Sequence, residues 1–186
     1  FAAAITPKTK WLLLNSPGNP SGALYTEDEL AALANVLRAN PHVWVLADEI
    51  YQYISYNTFT SFREIAPDLV NRMLIVNGVS KAYAMTGWRL GWGIGPLEII
   101  ETMVGVQGQS TSGASSISQA AALAAVTGPQ QVLTERLASF KDRRDYVVAT
   151  LNETGRLDCL TPGGAFYVFP SCEKTFGLKK PDGTEI

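Results

Sequence analysis

One stretch of the 186-residue sequence joins five apolar residues directly to two carboxylates: VWVLADE, residues 43–49. A short, near-continuous apolar run of this kind is typical of a strand that is buried on both faces of a parallel sheet. The run ends at Asp48 and Glu49, so charged side chains follow where the strand stops. We therefore predict a buried strand with polar groups at its carboxyl end.

Similar apolar runs lie on both sides of this stretch. WLLL at residues 11–14 precedes it, and MLIV at 73–76 and the glycine-interrupted LGWGI at 90–94 follow it. Between the first two runs, Thr26 and Glu29 have the spacing of a capping box at the start of a helix. Strands that alternate with helices predict an α/β sheet covered on both faces.

The second half of the chain is predicted to be mainly helical. Three helices are expected: one that starts near Pro96, one over about residues 116–126 and one over about residues 129–154. The alanine-rich residues 120–126 are expected to be buried. Residues 157–160 and 166–169 are predicted as strands around a turn. We place a domain boundary within the long helix, with residues 1–142 in one domain and 143–186 beginning another.

Composition and charge argue against several classes of protein. The net charge of −2 and the pI of 5.4 give no support for nucleic-acid binding, and the basic group at residues 141–144 is interpreted as a solvated helix face. No apolar run approaches the roughly 20 residues of a membrane span. Cys159 and Cys172 have neither metal-site nor disulfide spacing, which favours a reducing cytoplasm.

The sequence begins a few residues before a predicted strand and ends in the turn-forming residues 179–184. We therefore expect a piece of a larger protein.

Polar side chains follow three of the predicted strands. Asn19 follows the first strand, Asp48 and Tyr51 the second, and Lys81 and then Arg89 the third. Ligands of open α/β sheets bind beyond the carboxyl ends of the strands, so these side chains are expected to share one edge. Together they suit an anionic cofactor with a ring nitrogen, and we predict pyridoxal 5′-phosphate (PLP).

Each of these residues matches one part of that cofactor. Asp48 would keep the ring nitrogen protonated, and Tyr51 and Asn19 would donate hydrogen bonds to the phenolic oxygen. Lys81 would form the Schiff base and then act as the base that moves the substrate proton. Arg89 would bind the phosphate with two parallel hydrogen bonds. Taken singly, each residue also fits an ordinary cap, turn, core or surface role, so the prediction depends on their joint occurrence.

Four motifs carry a resemblance to a known family. They are NSPGNPSG at 15–22, ADEIY at 47–51, SKAYAMTGWRLGW at 80–92 and PGGAFY at 162–167. In this order they resemble the motifs of class I and II aminotransferases. The residues of the third motif are most similar to those of bacterial aspartate aminotransferases. The resemblance implies PLP-dependent transferase fold type I, an α/β fold. Residues 1–142 would be the C-terminal part of its large mixed-sheet domain, and residues 143–186 the start of its small α+β domain.

The resemblance also implies a function and partners. The protein would be a cytoplasmic, homodimeric aminotransferase that moves an amino group between an amino acid, of aspartate or glutamate type, and a 2-oxo acid. Asn19 would also contact the substrate carboxylate, and residues 109–112 would lie near the partner's site. No metal site is expected.

Two departures from the family pattern bear on this prediction. Many relatives carry a serine phosphate ligand three residues before the lysine, where this chain has Gly78, so Ser80 or backbone amides would have to replace it. The family's phosphate loop, its ring-stacking aromatic and its substrate-binding arginine fall outside this sequence. We therefore expect these 186 residues alone to be inactive.

Other functions use the same residues. Transaminases for alanine, prephenate or aromatic substrates share this site, and so do PLP-dependent carbon–sulfur lyases. An aminotransferase-like domain of a transcription regulator is a non-enzymatic alternative, and the motif wording favours the catalytic branch over it.

Overall fold

The computed structural model describes residues 1–185 and contains a four-stranded mixed sheet. Its strands are β1 (Trp11–Asn15), β2 (Trp44–Asp48), β3 (Met73–Gly78) and β4 (Gly91–Ile94), in the order β1-β2-β3-β4. The first three strands are parallel, and β4 is antiparallel to β3. The four predicted strands and the predicted α/β fold class are confirmed.

Five α-helices accompany the sheet in the described part of the chain. They are α1 (Glu27–Arg38), α2 (Phe62–Ile65), α3 (Leu97–Ser110), α4 (Ser116–Thr127) and α5 (Gln131–Glu153). Short 3-10 helices span Ala2–Ala4, Pro67–Arg72, Thr86–Trp88 and Glu173–Thr175. The helices predicted near Pro96, at 116–126 and at 129–154 are therefore confirmed.

The predicted capping box starts α1. The Thr26 hydroxyl accepts from the Glu29 backbone N–H at 3.3 Å, and the Glu29 carboxylate accepts from the Thr26 backbone N–H at 2.8 Å. The backbone hydrogen bond from Thr26 lowers the pKa of Glu29. Both contacts satisfy backbone donors that a helix start would otherwise leave free.

The main core lies between α1 and one face of the sheet. From α1 it contains Leu30, Ala34 and Leu37, which recur at the spacing of one helix face. The strands contribute alternate residues, namely Leu14, Val45, Ala47, Met73 and Ile75, and Val43 joins them from the position just before β2. Burying each large aliphatic side chain stabilises the fold by about 1.5–3 kcal/mol, so this face holds the strands in register.

The opposite face of the sheet is only partly covered. Alternation along β1 turns Leu13 away from the core, and its side chain is 72% exposed. α3 approaches this face at β4, where a Cβ on Gly93 would lie 3.2 Å from Met103 and 3.3 Å from Leu74. The prediction of a sheet covered on both faces is therefore wrong for residues 1–185, because none of their helices covers Leu13.

α4 is not the buried segment that its apolar composition suggested. Ser118 and Ala122 are its buried residues, whereas Leu123 is 62% exposed. An alanine-rich helix that is apolar on every side can bury only the side that meets a neighbour, and most of α4 meets none within residues 1–185. The prediction of burial for residues 120–126 is wrong.

The strands predicted after α5 do not form. Gly155, in the left-handed region at φ +66°, follows the end of α5, and neither predicted segment forms a strand. Isolated bridges instead join Asp158 to Ser171 and Gly164 to Ser55. Ala165 has φ +57°, which interrupts an extended conformation, and two lone segments without further strands pair only weakly. α5 continues through residues 142 and 143, so the domain boundary there stays a prediction.

Across residues 1–185, no helix combines the length and the apolarity needed to cross a membrane.

Candidate cofactor-binding site

The carboxyl ends of the parallel strands meet at one edge of the sheet. Asn15, the last residue of β1, lies beside Asp48, the last residue of β2, and Asp48 lies beside Val76 of β3. The polar segments that follow these strands therefore leave the sheet on the same side. This is the edge at which open α/β sheets bind ligands.

Asn15 ties the loop after β1 to the end of β2. Its side-chain oxygen accepts from the backbone N–H of Asn19 at 2.8 Å, and its side-chain nitrogen donates to the Asp48 carbonyl at 3.2 Å. The peptide bonds before Pro17 and Pro20 in this loop are cis. One asparagine thus links the exposed Asn19 to the strand that carries Asp48, a role that sequence reasoning missed.

The two carboxylates that end the second strand point into different environments. Glu49 is 6% exposed, and its carboxylate accepts from the Ser61 hydroxyl at 2.7 Å and from the Phe62 backbone N–H at 3.2 Å. Burial raises the pKa of Glu49, although these two hydrogen bonds oppose the shift. Asp48 is half-buried and accepts from the Ile50 backbone N–H at 3.2 Å. Glu49 therefore fastens the start of α2, whereas Asp48 remains available at the edge.

Tyr51 is almost completely buried beside Asp48. It is 3% exposed, and its hydroxyl lies 2.7 Å from the hydroxyl of Tyr167. Its ring meets the rings of Phe166 and Tyr167 edge-on, with centroids 5.5 and 5.7 Å away. Burial, then the hydrogen bond with Tyr167, then the charge of Asp48 raise the pKa of Tyr51 far above its usual value. The phenol therefore remains protonated, and so a hydrogen-bond donor, at neutral pH.

Lys81 lies in the loop after β3 and is half-buried. Its amine nitrogen is 6.0 Å from the centroid of the Tyr51 ring, near the outer limit of a cation–π contact. Two contacts fasten the next residues: the Arg136 guanidinium donates to the Ala82 carbonyl at 3.1 Å, and the Tyr83 hydroxyl donates to Gln130 at 2.7 Å. α5 and the turn before it therefore hold the lysine loop, which no sequence signal had indicated.

Arg89 is exposed and belongs to the same loop as Lys81. Its backbone is in the left-handed region at φ +51°, and its guanidinium donates to the Thr86 carbonyl at 3.1 Å. In the described part of the chain, no hydrogen bond or ion pair links Arg89 to the other four predicted site residues. The structure thus brings Asp48, Tyr51 and Lys81 together and ties the loop of Asn19 to them through Asn15, whereas Arg89 makes no hydrogen bond or ion pair with them within residues 1–185.

Gly78 stands where many relatives are expected to carry a serine. A Cβ at this position would lie 2.8 Å from the Leu90 carbonyl oxygen and 2.9 Å from the Gly91 Cα. Because both obstacles are backbone atoms of the neighbouring strand segment, no side chain fits without moving β4. The glycine is therefore required by the close approach of β4 to β3.

The PGGAFY segment at 162–167 reaches the site from the far end of the sequence. The Ala165 N–H donates to the Ile54 carbonyl at 2.7 Å, and the Tyr56 hydroxyl donates to the Ala165 carbonyl at 2.7 Å. Gly164 packs so tightly that a Cβ would lie 2.4 Å from Pro17. The segment therefore connects the loop after β1 with the segment of Tyr51. The sequence pointed to this motif, but not to a place for Tyr167 in the site.

A mixed α/β sheet with a lysine, a tyrosine and a carboxylate at its carboxyl edge places the chain among proteins that bind ligands at such an edge. The sequence match is more specific: the chain belongs to the family described as aminotransferase class I and II, whose model matches residues 1–182. This confirms the family predicted from the four motifs.

Individual relatives agree with this assignment. The chain is 53% identical over 186 residues to an aspartate aminotransferase of Rhizobium meliloti (strain 1021), covering 99% of this chain and 45% of the relative. It is 51% identical over 185 residues to a probable aspartate/prephenate aminotransferase of Rhizobium leguminosarum bv. phaseoli, covering 98% of this chain and 46% of the relative. The chain therefore spans a little under half the length of the curated relatives it matches.

Solved structures show the same fold. The crystal structure of the Rhizobium meliloti aspartate aminotransferase matches all of this chain and 47% of its own, with a TM-score of 0.97 and 52% identity. An aromatic aminotransferase from Pyrococcus horikoshii matches 90% of this chain and 45% of its own, with a TM-score of 0.85 and 35% identity. The predicted fold type I architecture is confirmed.

Proposed function

We propose that the protein is a PLP-dependent aminotransferase that moves an amino group between an amino acid, of aspartate or glutamate type, and a 2-oxo acid. The observation that carries this proposal is the grouping of Asp48, Tyr51 and Lys81 at one sheet edge in a chain of the aminotransferase family. The names of its relatives, aspartate and aspartate/prephenate aminotransferases, support the substrate class.

The side chains at the edge fit the chemical groups of PLP. A carboxylate, a phenol, an amide, an amine and a guanidinium match its ring nitrogen, phenolic oxygen, aldehyde and phosphate. Within residues 1–185, no ion pair occupies Asp48, Lys81 or Arg89, so their charges remain available for a ligand. When bound, PLP withdraws the electrons that a substrate Cα retains after it loses a proton.

Asp48 and Tyr51 would tune the cofactor ring from opposite ends. The half-buried Asp48 carboxylate would hold a proton on the ring nitrogen, because a nearby anion favours the protonated form. Tyr51 keeps its own proton and can donate it in a hydrogen bond to the phenolic oxygen. Asn19, in the loop after β1 that Asn15 ties to Asp48, would donate a second hydrogen bond to the phenolic oxygen and would also contact the substrate carboxylate.

Lys81 would have two roles at the same atom. Its amine nitrogen would hold the cofactor covalently and, once free, would carry the proton of the substrate Cα. The contacts of Arg136 and Gln130 with the neighbouring residues limit the movement of this loop, which keeps the amine near Tyr51. Arg89 uses one donor on the Thr86 carbonyl and would offer others to the cofactor phosphate.

The proposal extends to the complete protein. We propose a cytoplasmic homodimer in which residues 109–112, at the end of α3, lie near the partner's site. Residues 143–186 would begin the small domain. The exposed apolar residues of α3 and α4 are consistent with surfaces that other parts of the assembly cover.

The experiment that tests this function uses the full-length protein loaded with PLP. On addition of aspartate without an oxo acid, we expect one equivalent of pyridoxamine phosphate and of oxaloacetate per site. A lyase would instead release ammonia or pyruvate, and that result would overturn the proposal. In a second experiment with both substrates, 2-oxoglutarate and prephenate are compared as amino acceptors. Turnover with prephenate would show the prephenate activity that one relative's name includes, separately from the aspartate activity.

A further inference from the structure

A second tyrosine determines which way the Tyr51 hydroxyl can donate. The hydroxyls of Tyr51 and Tyr167 lie 2.7 Å apart, although the residues are 116 positions apart in the sequence. Tyr51 is 3% exposed. Within residues 1–185, the hydroxyl of Tyr167 is the one hydrogen-bond partner of the Tyr51 hydroxyl. The environment of this phenol is therefore set largely by the distant segment.

Counting protons leaves one donor free. Each phenol carries one O–H donor and lone pairs that accept, and the bond between the two phenols uses one proton. The other proton can serve a third group. A hydrogen bond to an anion is roughly twice as strong as one between neutral groups, so an anionic acceptor at the sheet edge takes the Tyr51 proton. Tyr167 must then donate to the Tyr51 oxygen.

We propose that Tyr167 is a positioning residue whose hydroxyl donates to Tyr51 and so directs the Tyr51 proton at the anionic phenolic oxygen of the cofactor. This inference rests on the proposed function. The accepted bond also strengthens the donated one, because linked hydrogen bonds polarise each other by about 10–30%.

The surrounding contacts hold Tyr167 in place for this role. The backbone of Ala165, two residues earlier, is fixed on both sides, by the Ile54 carbonyl and by the Tyr56 hydroxyl. The ring of Tyr167 meets that of Tyr51 edge-on at an interplanar angle of 82°. The raised pKa of Tyr51 keeps its proton in place at neutral pH, as a donor requires.

The test follows the pH midpoint of the visible absorbance of the full-length protein loaded with PLP. This midpoint reports the proton at the Lys81 nitrogen. Loss of a donor makes the phenolic oxygen more negative, which holds that proton more tightly. We expect Tyr51→Phe to raise the midpoint by about one pH unit or more, the size of one charge-assisted hydrogen bond. Tyr167→Phe should raise it by roughly a quarter as much.

Two further variants separate this role from simple anchoring. The double variant Tyr51→Phe/Tyr167→Phe should show the midpoint of Tyr51→Phe alone, because Tyr167 acts through Tyr51. Tyr56→Phe removes an equally short bond from the same segment without touching the Tyr51 hydroxyl, and its midpoint should stay unchanged.

The outcomes distinguish this inference from the function on which it rests. An unshifted Tyr167→Phe midpoint, an additive double variant, or an equal shift in Tyr56→Phe would each overturn the role of Tyr167 alone. Absence of any visible band in the unsubstituted protein would overturn the proposed function, and the inference with it.

Discussion

The sheet face beneath α1 and the carboxyl edge of the same sheet are built in opposite ways. The face contains apolar side chains such as Leu37 and Val45, which are completely buried and make no polar contact. The edge contains Asp48 and Lys81, which are half-buried and lack ion-pair partners within residues 1–185. Stability is therefore concentrated on the face, and groups available for chemistry are concentrated at the edge.

The adjacent residues Asp48 and Glu49 show the same difference at the scale of one peptide unit. Glu49 is buried, and the Ser61 hydroxyl and the Phe62 N–H satisfy its carboxylate. Asp48 accepts one backbone hydrogen bond and is otherwise free to meet a ligand. Of these two neighbouring carboxylates, one is thus satisfied by the protein and the other is open to a ligand, because successive residues leave the strand end in different directions.

The largest effect that would sharpen this comparison is expected from Asp48→Ala. If Asp48 keeps the ring nitrogen protonated, as proposed, the substitution should lower the proposed transamination rate by about 10³-fold while cofactor attached through Lys81 is retained. Steady-state rates of the full-length protein check this. Asp68→Asn, which removes an exposed carboxylate paired with Arg38, should leave the rate within a factor of two or so. Near-normal turnover of Asp48→Ala would refute its role.

On the packed face, Leu37→Ala should act on stability instead. Leu37 is completely buried against the sheet, so the cavity left behind should cost about 3 kcal/mol of unfolding free energy. Leu160→Ala makes the same change where the side chain is 88% exposed and should cost under about 0.5 kcal/mol. Denaturant midpoints measure both. Equal losses would show that the face beneath α1 is not where the fold is held together.

The smallest effect concerns the pH dependence that Glu49 contributes. Its folded-state pKa is raised above the usual 4.5, so the folded protein binds this proton more tightly than the unfolded chain does. The stabilisation from the protonated form is therefore lost as the pH rises above 4.5 through the folded-state pKa.

Glu49→Gln removes this titration and retains an acceptor for Ser61. Relative to the unsubstituted protein, the variant should gain stability as the pH rises above 4.5, with a slope no greater than about 1.4 kcal/mol per pH unit. Urea unfolding across this pH range provides the measurement. Parallel stability curves for the two proteins would contradict the pKa shift.

Much of this architecture could be predicted from the sequence because its signals are local. The capping box of Thr26 and Glu29 depends on residues three apart. The strands β1, β2 and β3 are each predicted from a short run of consecutive apolar residues. The strand-end rule also indicated that Asp48 and Lys81 would share an edge. These features need no knowledge of distant contacts.

The errors arise where distant contacts decide. Residues 166–169 have the composition of a strand, but the positive φ of Ala165 and its bond to Ile54 turn the segment toward the site. Tyr167 could not be assigned beforehand, because its partner Tyr51 lies 116 residues away. The burial expected for residues 120–126 was wrong for a similar reason: composition shows that a helix can be buried, but not whether a neighbour covers it.

The proposal that Lys81 is the attachment point of the cofactor is tested most directly by absorbance. The full-length protein loaded with PLP should show a visible band that Lys81→Ala abolishes. Lys141→Ala removes an exposed lysine paired with Asp145 and should leave the band intact. A visible band that survives in Lys81→Ala at undiminished intensity would contradict the role proposed for Lys81.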